Sequence, residues 1–152
     1  IVEGVLGSVA SVVQKSGANL SSDIGPRPMT VLGNVTALNG AISNLVTNAI
    51  EAGAKNVKIE LVADTKNVMI SVKNDGPMIK PEVRAHIFEP FYTTKSNGTG
   101  LGLAVVAAVA KVHQGDIRLV SNEKETVFTM IIPKYEGVLE PSESFKDEKS
   151  VA

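Results

Sequence analysis

Gly98, Gly100 and Gly102 stand at alternate positions in the run Glu89-Pro90-Phe91-Tyr92-Thr93-Thr94-Lys95-Ser96-Asn97-Gly98-Thr99-Gly100-Leu101-Gly102-Leu103, which leads straight into the apolar segment 103–112. This is the pattern of a flexible loop closing onto a helix N-terminus. Glycine lets a backbone take positive φ and approach a ligand closely. The unpaired N–H groups and the positive end of the helix dipole favour a bound phosphate. Lys95, Thr94 and Thr99 add a cation and two hydroxyls within the same reach. A glycine-rich surface turn capping an ordinary helix has the same look, so the surroundings must decide.

Two common phosphate loops do not fit. A Walker A loop places Lys-Ser/Thr directly after its last glycine, whereas Leu101 follows Gly100. A dinucleotide fingerprint follows a strand tightly, and residues 88–92, broken by Pro90, make a poor strand. A second polar feature lies upstream. Asn44, Asn48 and Glu51 fall at i, i+4 and i+7 of a helical pattern, which aligns them on one face. Asparagine is a mediocre helix former, so two of them one turn apart read either as a solvated face or as amide oxygens for a hard cation such as Mg²⁺.

The elements that would position these groups follow from hydrophobic periodicity. Val2, Val5, Leu6, Val9, Val12 and Val13 recur at three- and four-residue steps, giving an amphipathic helix ended by Ser16-Gly17. Residues 18–24 and 29–32 read as short strands around Gly25-Pro26-Arg27-Pro28. Asn34 is an N-cap for a helix running to Ala52 and stopped by Gly53, with Leu38, Ala41, Ile42, Leu45, Val46, Ala49 and Ile50 as its buried stripe. Val57, Ile59, Leu61 and then Val68, Ile70, Val72 alternate about residues 64–67, which is a hairpin with one buried face. Pro81 opens a short helix to about Ile87. After the glycine run and its helix, which ends near His113, residues 117–120 and 127–132 form a closing hairpin. Helices between paired strands imply a two-layer α/β sandwich, with the helices on one face of a mixed, mostly antiparallel sheet. Residues 1–135 form one domain, and 136–152, polar and without period, read as a flexible C-terminal tail.

Composition narrows the function classes. A net charge of −1 leaves no electrostatic footprint for nucleic acid or an anionic membrane. The absence of cysteine excludes disulfides and Cys-based zinc sites and agrees with a reducing cytoplasm. No segment reads as a bilayer span or a secretory leader. A chain starting at Ile1 reads as a fragment of something longer.

Four elements together carry a resemblance: Asn44-Leu45-Val46-Thr47-Asn48-Ala49, Asn74-Asp75-Gly76-Pro77, Phe88-Glu89-Pro90-Phe91, and Gly98-Thr99-Gly100-Leu101-Gly102-Leu103. They resemble the N, G1, F and G2 boxes of the catalytic ATP-binding domain (Bergerat, or GHKL, fold) of sensor histidine kinases, in the wider family of gyrase B, Hsp90 and MutL. Asn48-Ala49-Ile50-Glu51-Ala52 and Phe91-Tyr92-Thr93-Thr94-Lys95 look most like the nitrogen-regulation and flagellar-regulation sensors.

The resemblance implies ATP and Mg²⁺ as cofactors, with Asn48 as metal ligand and Asn44 beside it. It implies that Asn74 reads the adenine amino group and that Gly76 lets the ring approach. Residues 88–97 would begin an ATP lid. Thr94, Gly98, Thr99, Gly100, Leu101 and Gly102 would hold the triphosphate, and Lys95 would neutralise its charge. Three departures stand out: Asn74-Asp75 inverts the usual Asp-Asn order, Met78 replaces a glycine, and Glu51 stands where many relatives have a base. A neutral Asn74 would forgo the charge-assisted part of the adenine bond.

The expected activity is transfer of the γ-phosphoryl group of MgATP to a histidine on dimerisation helices upstream of Ile1, for relay to a response-regulator receiver domain in the cytoplasm. Neither His86 nor His113 has the sequence context of an acceptor. The competing expectations are a docking module with degenerate nucleotide binding and an autonomous ATPase of the gyrase type.

Overall fold

The computed structural model describes residues 2–26, 29–94, 100–135 and 150–151. Helix α1 (Val2–Ser16) buries Val5 and Val9, and Gly17 ends it at φ 73°. Strand β1 (Asn19–Ile24) follows, then β2 (Val31–Leu32). Helix α2 (Val35–Glu51) starts where the N-cap reading put it: the Asn34 side chain accepts from the Ala37 N–H at 2.9 Å, satisfying a donor the helix leaves open. Gly53 at φ 94° accommodates the turn after Ala52. The buried stripe is Leu38, Ala41, Ile42, Leu45, Val46 and Ala49, with Ile50 only partly covered.

Strands β3 (Asn56–Ala63) and β4 (Asn67–Asn74) pair antiparallel. The Asp64 carboxylate accepts from the Lys66 and Asn67 amides at 2.8 and 2.7 Å and so closes their turn. Helix α3 (Pro81–Arg84) is shorter than the reach to Ile87 expected from sequence. Beyond it His86 N–H bonds to Val83 O and Glu89 N–H to His86 O, tight three-residue steps. Pro90 disfavours helical backbone at Glu89, so these turns do not pass into a further helix. Helix α4 (Gly102–Val112) leads through Gln114 (φ 59°) into β5 (Asp116–Ser121), which pairs with β6 (Thr126–Pro133).

The five-stranded sheet runs β1-β3-β4-β6-β5, with β1 parallel to β3 and every other pairing antiparallel. Strands β4 and β6 alternate strictly: Val68, Ile70 and Val72 face the core together with Phe128, Met130 and Ile132. The buried residues of α1, α2 and α4 belong to that same cluster, so the helices cover one face. The expected two-layer sandwich is therefore the observed one. Of the expected tail, only Ser150 and Val151 are described; they form β7, pairing antiparallel with β2, a contact absent from the sequence reading.

His113 is the C-cap of α4, where the sequence reading ends that helix. The ring is 8% exposed, its Nε2 accepts from Asn34 N–H at 3.0 Å, and its Nδ1 faces the Val109 carbonyl at 2.7 Å. A carbonyl can only accept, so this geometry is that of a neutral imidazole protonated on Nδ1.

Leu45, 1% exposed, sits where α2 meets the rest of the cluster. Leu45→Ala is expected to lower unfolding stability by about 2–5 kcal/mol, the range for buried leucines, as a shift of the urea midpoint with unchanged slope.

Candidate functional site

A cleft of about 1090 Å³ opens between α2 and the two segments that flank α3. Asn44, Thr47, Asn48 and Glu51 line one wall. Pro77, Met78, Ile79 and Lys80 from the turn after β4, with Val83 and Ile87, form an apolar side. Tyr92, Thr93 and Thr94 lie at the entrance to the glycine run, and Gly100, Gly102 and Leu103 complete the lining. The amide row and the glycine run, far apart in sequence, thus share one cavity. Asn44 Nδ2 donates to Gly102 O at 3.4 Å across it.

The loop stem has a specific construction. Gly100 is at φ 72°, and a Cβ there would overlap the backbone of Phe91, so only glycine fits. Phe91 N–H donates to Gly100 O at 2.9 Å, closing the segment between them. Phe91 is itself left-handed at φ 67°, a costly conformation for a bulky residue, and its ring is 75% exposed. Lys95, Gly98 and Thr99 lie outside the described residues. Leu101 is the N-cap of α4 and does not line the cleft.

Asn74 and Gly76 also stand apart from the lining. Asn74 is 7% exposed at the core-facing end of β4, and its Oδ1 accepts from the Gly76 N–H at 2.9 Å. Its neighbour Asp75 is spent on structure: Oδ1 accepts from the Lys55 and Asn56 amides at 2.8 and 2.9 Å, and Oδ2 from Asn56 Nδ2 at 2.8 Å. The Asn56 side chain, followed by these backbone donors, holds the Asp75 carboxyl below the usual carboxylate range.

Two residues that organise the apolar wall were missed from sequence. Ser121 Oγ accepts from Ile79 N–H at 2.9 Å and bonds to Thr126 Oγ1 at 2.7 Å. Both are buried, at 6% and 2% exposure. The available signal was alternation: Thr126 shares a strand face with Phe128, Met130 and Ile132, so it is a polar residue at a core position. His86 pairs with Glu89 at 3.1 Å on the surface and does not enter the cleft.

The donors on the cleft wall are amide, hydroxyl and carboxylate oxygens, the set preferred by a hard divalent cation. Among the described residues no group of three or more His, Cys, Asp or Glu could hold a metal alone.

A mixed five-stranded sheet backed by helices is the fold of catalytic domains of histidine kinases. The catalytic domain of histidine kinase ThkA superposes with a TM-score of 0.79 at 32% identity, over 87% of this chain and 89% of that one. The structure of ThkA in complex with response regulator protein TrrA matches at TM-score 0.74 and 29% identity, over 88% of this chain and 39% of that one. Sensor histidine kinase CpxA of Escherichia coli (strain K12) is 35% identical over 120 residues, 75% of this chain. This chain spans 26% of the length of CpxA. Residues 33–136 match the family of histidine kinase-, DNA gyrase B-, and HSP90-like ATPases, and the chain belongs to that family.

Asp75 supplies a test by linkage. A carboxyl whose folded pKa is depressed contributes stability that is present above its unfolded pKa, near 4, and is lost as pH falls through the folded value. Asp75→Asn is therefore expected to lower the melting temperature at neutral pH, while wild type and variant converge as pH is lowered through the carboxylate range. A melting series over pH checks this, and a constant gap at every pH would contradict the assigned role.

Proposed function

We propose that this domain binds MgATP in the cleft and transfers the γ-phosphoryl group to a histidine on adjoining dimerisation helices, for relay to a response-regulator receiver domain in the cytoplasm. The observation that carries the reading is the convergence of Asn44 and Asn48 with Gly100 and Gly102 on one cavity. Similarity to CpxA and to the regulator-bound ThkA supports the partner assignment.

When bound, the divalent cation supplies charge neutralisation between the phosphates. Asn48, on a rigid helix, holds it through the amide oxygen, with Asn44 orienting the same end. The backbone N–H groups opening α4, at Gly100 and Gly102, meet the phosphates with the positive end of the helix dipole, and the resemblance assigns Leu101, Gly98 and Thr99 to the same group. Thr94 and Lys95 add a hydroxyl and a cation from the lid. Met78, Ile79, Val83 and Ile87 exclude water from the base side, and Asn74 and Gly76, which do not line the cleft, are assigned to the base edge by the resemblance alone.

Phosphoryl transfer asks for little covalent chemistry from these residues; positioning and electrostatics carry the rate. Neither histidine of the chain is suited to accept the phosphoryl group. Both His113 nitrogens are engaged, and His86 is held by Glu89.

Calorimetry with MgADP tests the reading directly. Asn48→Ala is expected to abolish metal-dependent binding with little change in melting temperature, since Asn48 is only partly buried. Asn74→Asp is expected to tighten ATP by about tenfold, one charge-assisted bond of about 1.4 kcal/mol. Absence of heat from wild type at millimolar nucleotide would remove the assignment.

A further inference from the structure

The two helices that frame the cleft are tied by hydrogen bonds at two points. Near the cleft Asn44 Nδ2 donates to Gly102 O at 3.4 Å. At the far end Asn34 N–H donates to His113 Nε2 at 3.0 Å. The His113 ring is also seated on Gly33, where any Cβ would overlap it. The ties run antiparallel: the N-terminal end of α2 meets the C-terminal end of α4, and the middle of α2 meets the first residue of α4. Ten residues of α2 separate Asn34 from Asn44, and eleven of α4 separate His113 from Gly102. At 1.5 Å per residue both intervals are about 15–17 Å, so the two ties match a single register.

What lies between them does not fix that register. Leu38, Ala41 and Leu45 of α2 and Val106 and Ala110 of α4 are buried in one apolar cluster. Apolar burial is non-directional, so a small axial slip leaves much of it intact. An N–H···N bond is directional and weakens under such a slip: one residue of slip, about 1.5 Å, stretches and bends a 3.0 Å bond. The Asn44–Gly102 bond is long and partly exposed, which leaves the buried His113 tie as the stronger determinant.

We propose that His113 is a positioning residue for the cleft: its Nε2 sets the axial register of α4 on α2, and thereby the placement of Gly100 and Gly102 opposite Asn44 and Asn48. The inference rests on the nucleotide reading given above. The second ring bond, Nδ1–H to Val109 O, is a separate matter, because it caps the last turn of the ring's own helix.

The two roles can be separated, because a glutamine amide reaches about as far as Nε2 and an asparagine amide about as far as Nδ1. His113→Gln keeps an acceptor for Asn34 N–H and loses the cap. His113→Asn keeps the cap and loses the tie. MgADP affinity, melting temperature and hydrogen exchange of the Asn34 amide are measured on this chain and both variants. The expected result is a protected Asn34 amide and near wild-type affinity in the glutamine variant. The asparagine variant should show an unprotected amide and binding weakened by about tenfold or more, at a similar melting temperature.

Equal losses of affinity in both variants, following their melting temperatures, would overturn the proposal and leave His113 as a structural residue. If neither variant folds, Gly33→Ala, whose Cβ presses on the Cδ2–Nε2 edge of the ring, must weaken MgADP; unchanged affinity overturns the proposal. No MgADP binding by the unaltered chain would overturn the nucleotide reading and this inference with it, whereas binding that is insensitive to the variants overturns this inference alone.

Discussion

The antiparallel seating of α4 on α2 is the constraint on which the rest of the molecule depends. Apart from Pro77 and Met78 on the turn after β4, the groups at the cleft that the sequence singles out lie on one of these helices or on the loop entering α4. The sheet supplies a floor that both helices share, through Val68, Ile70 and Val72 on β4 and Phe128, Met130 and Ile132 on β6. That floor fixes the distance between layers but not the rotation or slide of each helix. Directional bonds at helix ends do the latter. Asn34 serves twice, its side chain capping α2 and its backbone N–H reaching His113, so the start of one helix and the end of the other are defined by a single residue.

The same economy holds on the apolar side of the cleft. The turn after β4 has no regular backbone pairing to hold it, yet Pro77, Met78 and Ile79 form a wall. Asp75 anchors its start on Lys55 and Asn56, and Ser121, braced by Thr126, takes the Ile79 N–H. Phe88 then meets Phe128 edge-on, with centroids 6.1 Å apart, so the segment leaving α3 is referenced to the same core. The loop is thus held at its start by exposed partners and at Ile79 by a buried one, while among the described residues the stem at Phe91 and Gly100 is closed by a backbone bond between two left-handed residues.

Much of this was legible in the sequence, and what was legible was local. The Asn34 cap, the stop at Gly53, the Asp64 turn and the alternation of β3, β4 and β6 each depend on residues within a few positions of one another. The stripe on α2 was read nearly residue for residue, because a period of 3.6 is a property of the segment itself. The joining of Asn44 and Asn48 with the glycine run came from the resemblance, since no local pattern carries a contact across more than fifty residues. What stayed hidden was of that long-range kind. The Asn34–His113 bond, the pairing of β2 with β7 and the support of Ile79 by Ser121 join segments whose own patterns are complete without one another.

Asn74 shows how a single-atom change is weighted by its surroundings. A carboxylate at the end of β4 offers two equivalent acceptors, and the turn to Gly76 needs one of them. The amide present here offers one oxygen, and that oxygen already accepts from Gly76 N–H at 2.9 Å. What remains outward is either the second lone pair of the same oxygen or the amide N–H₂, a donor. A purine amino group brought to this edge therefore competes with the turn for the oxygen or meets a donor. Were the turn held by another residue, Asn and Asp would differ only by charge; because Asn74 itself holds it, the exchange also alters which kind of hydrogen bond the site can make. The hydrogen bonds that the end of β4 can offer outward are thus set jointly by residue 74 and by the backbone two residues on.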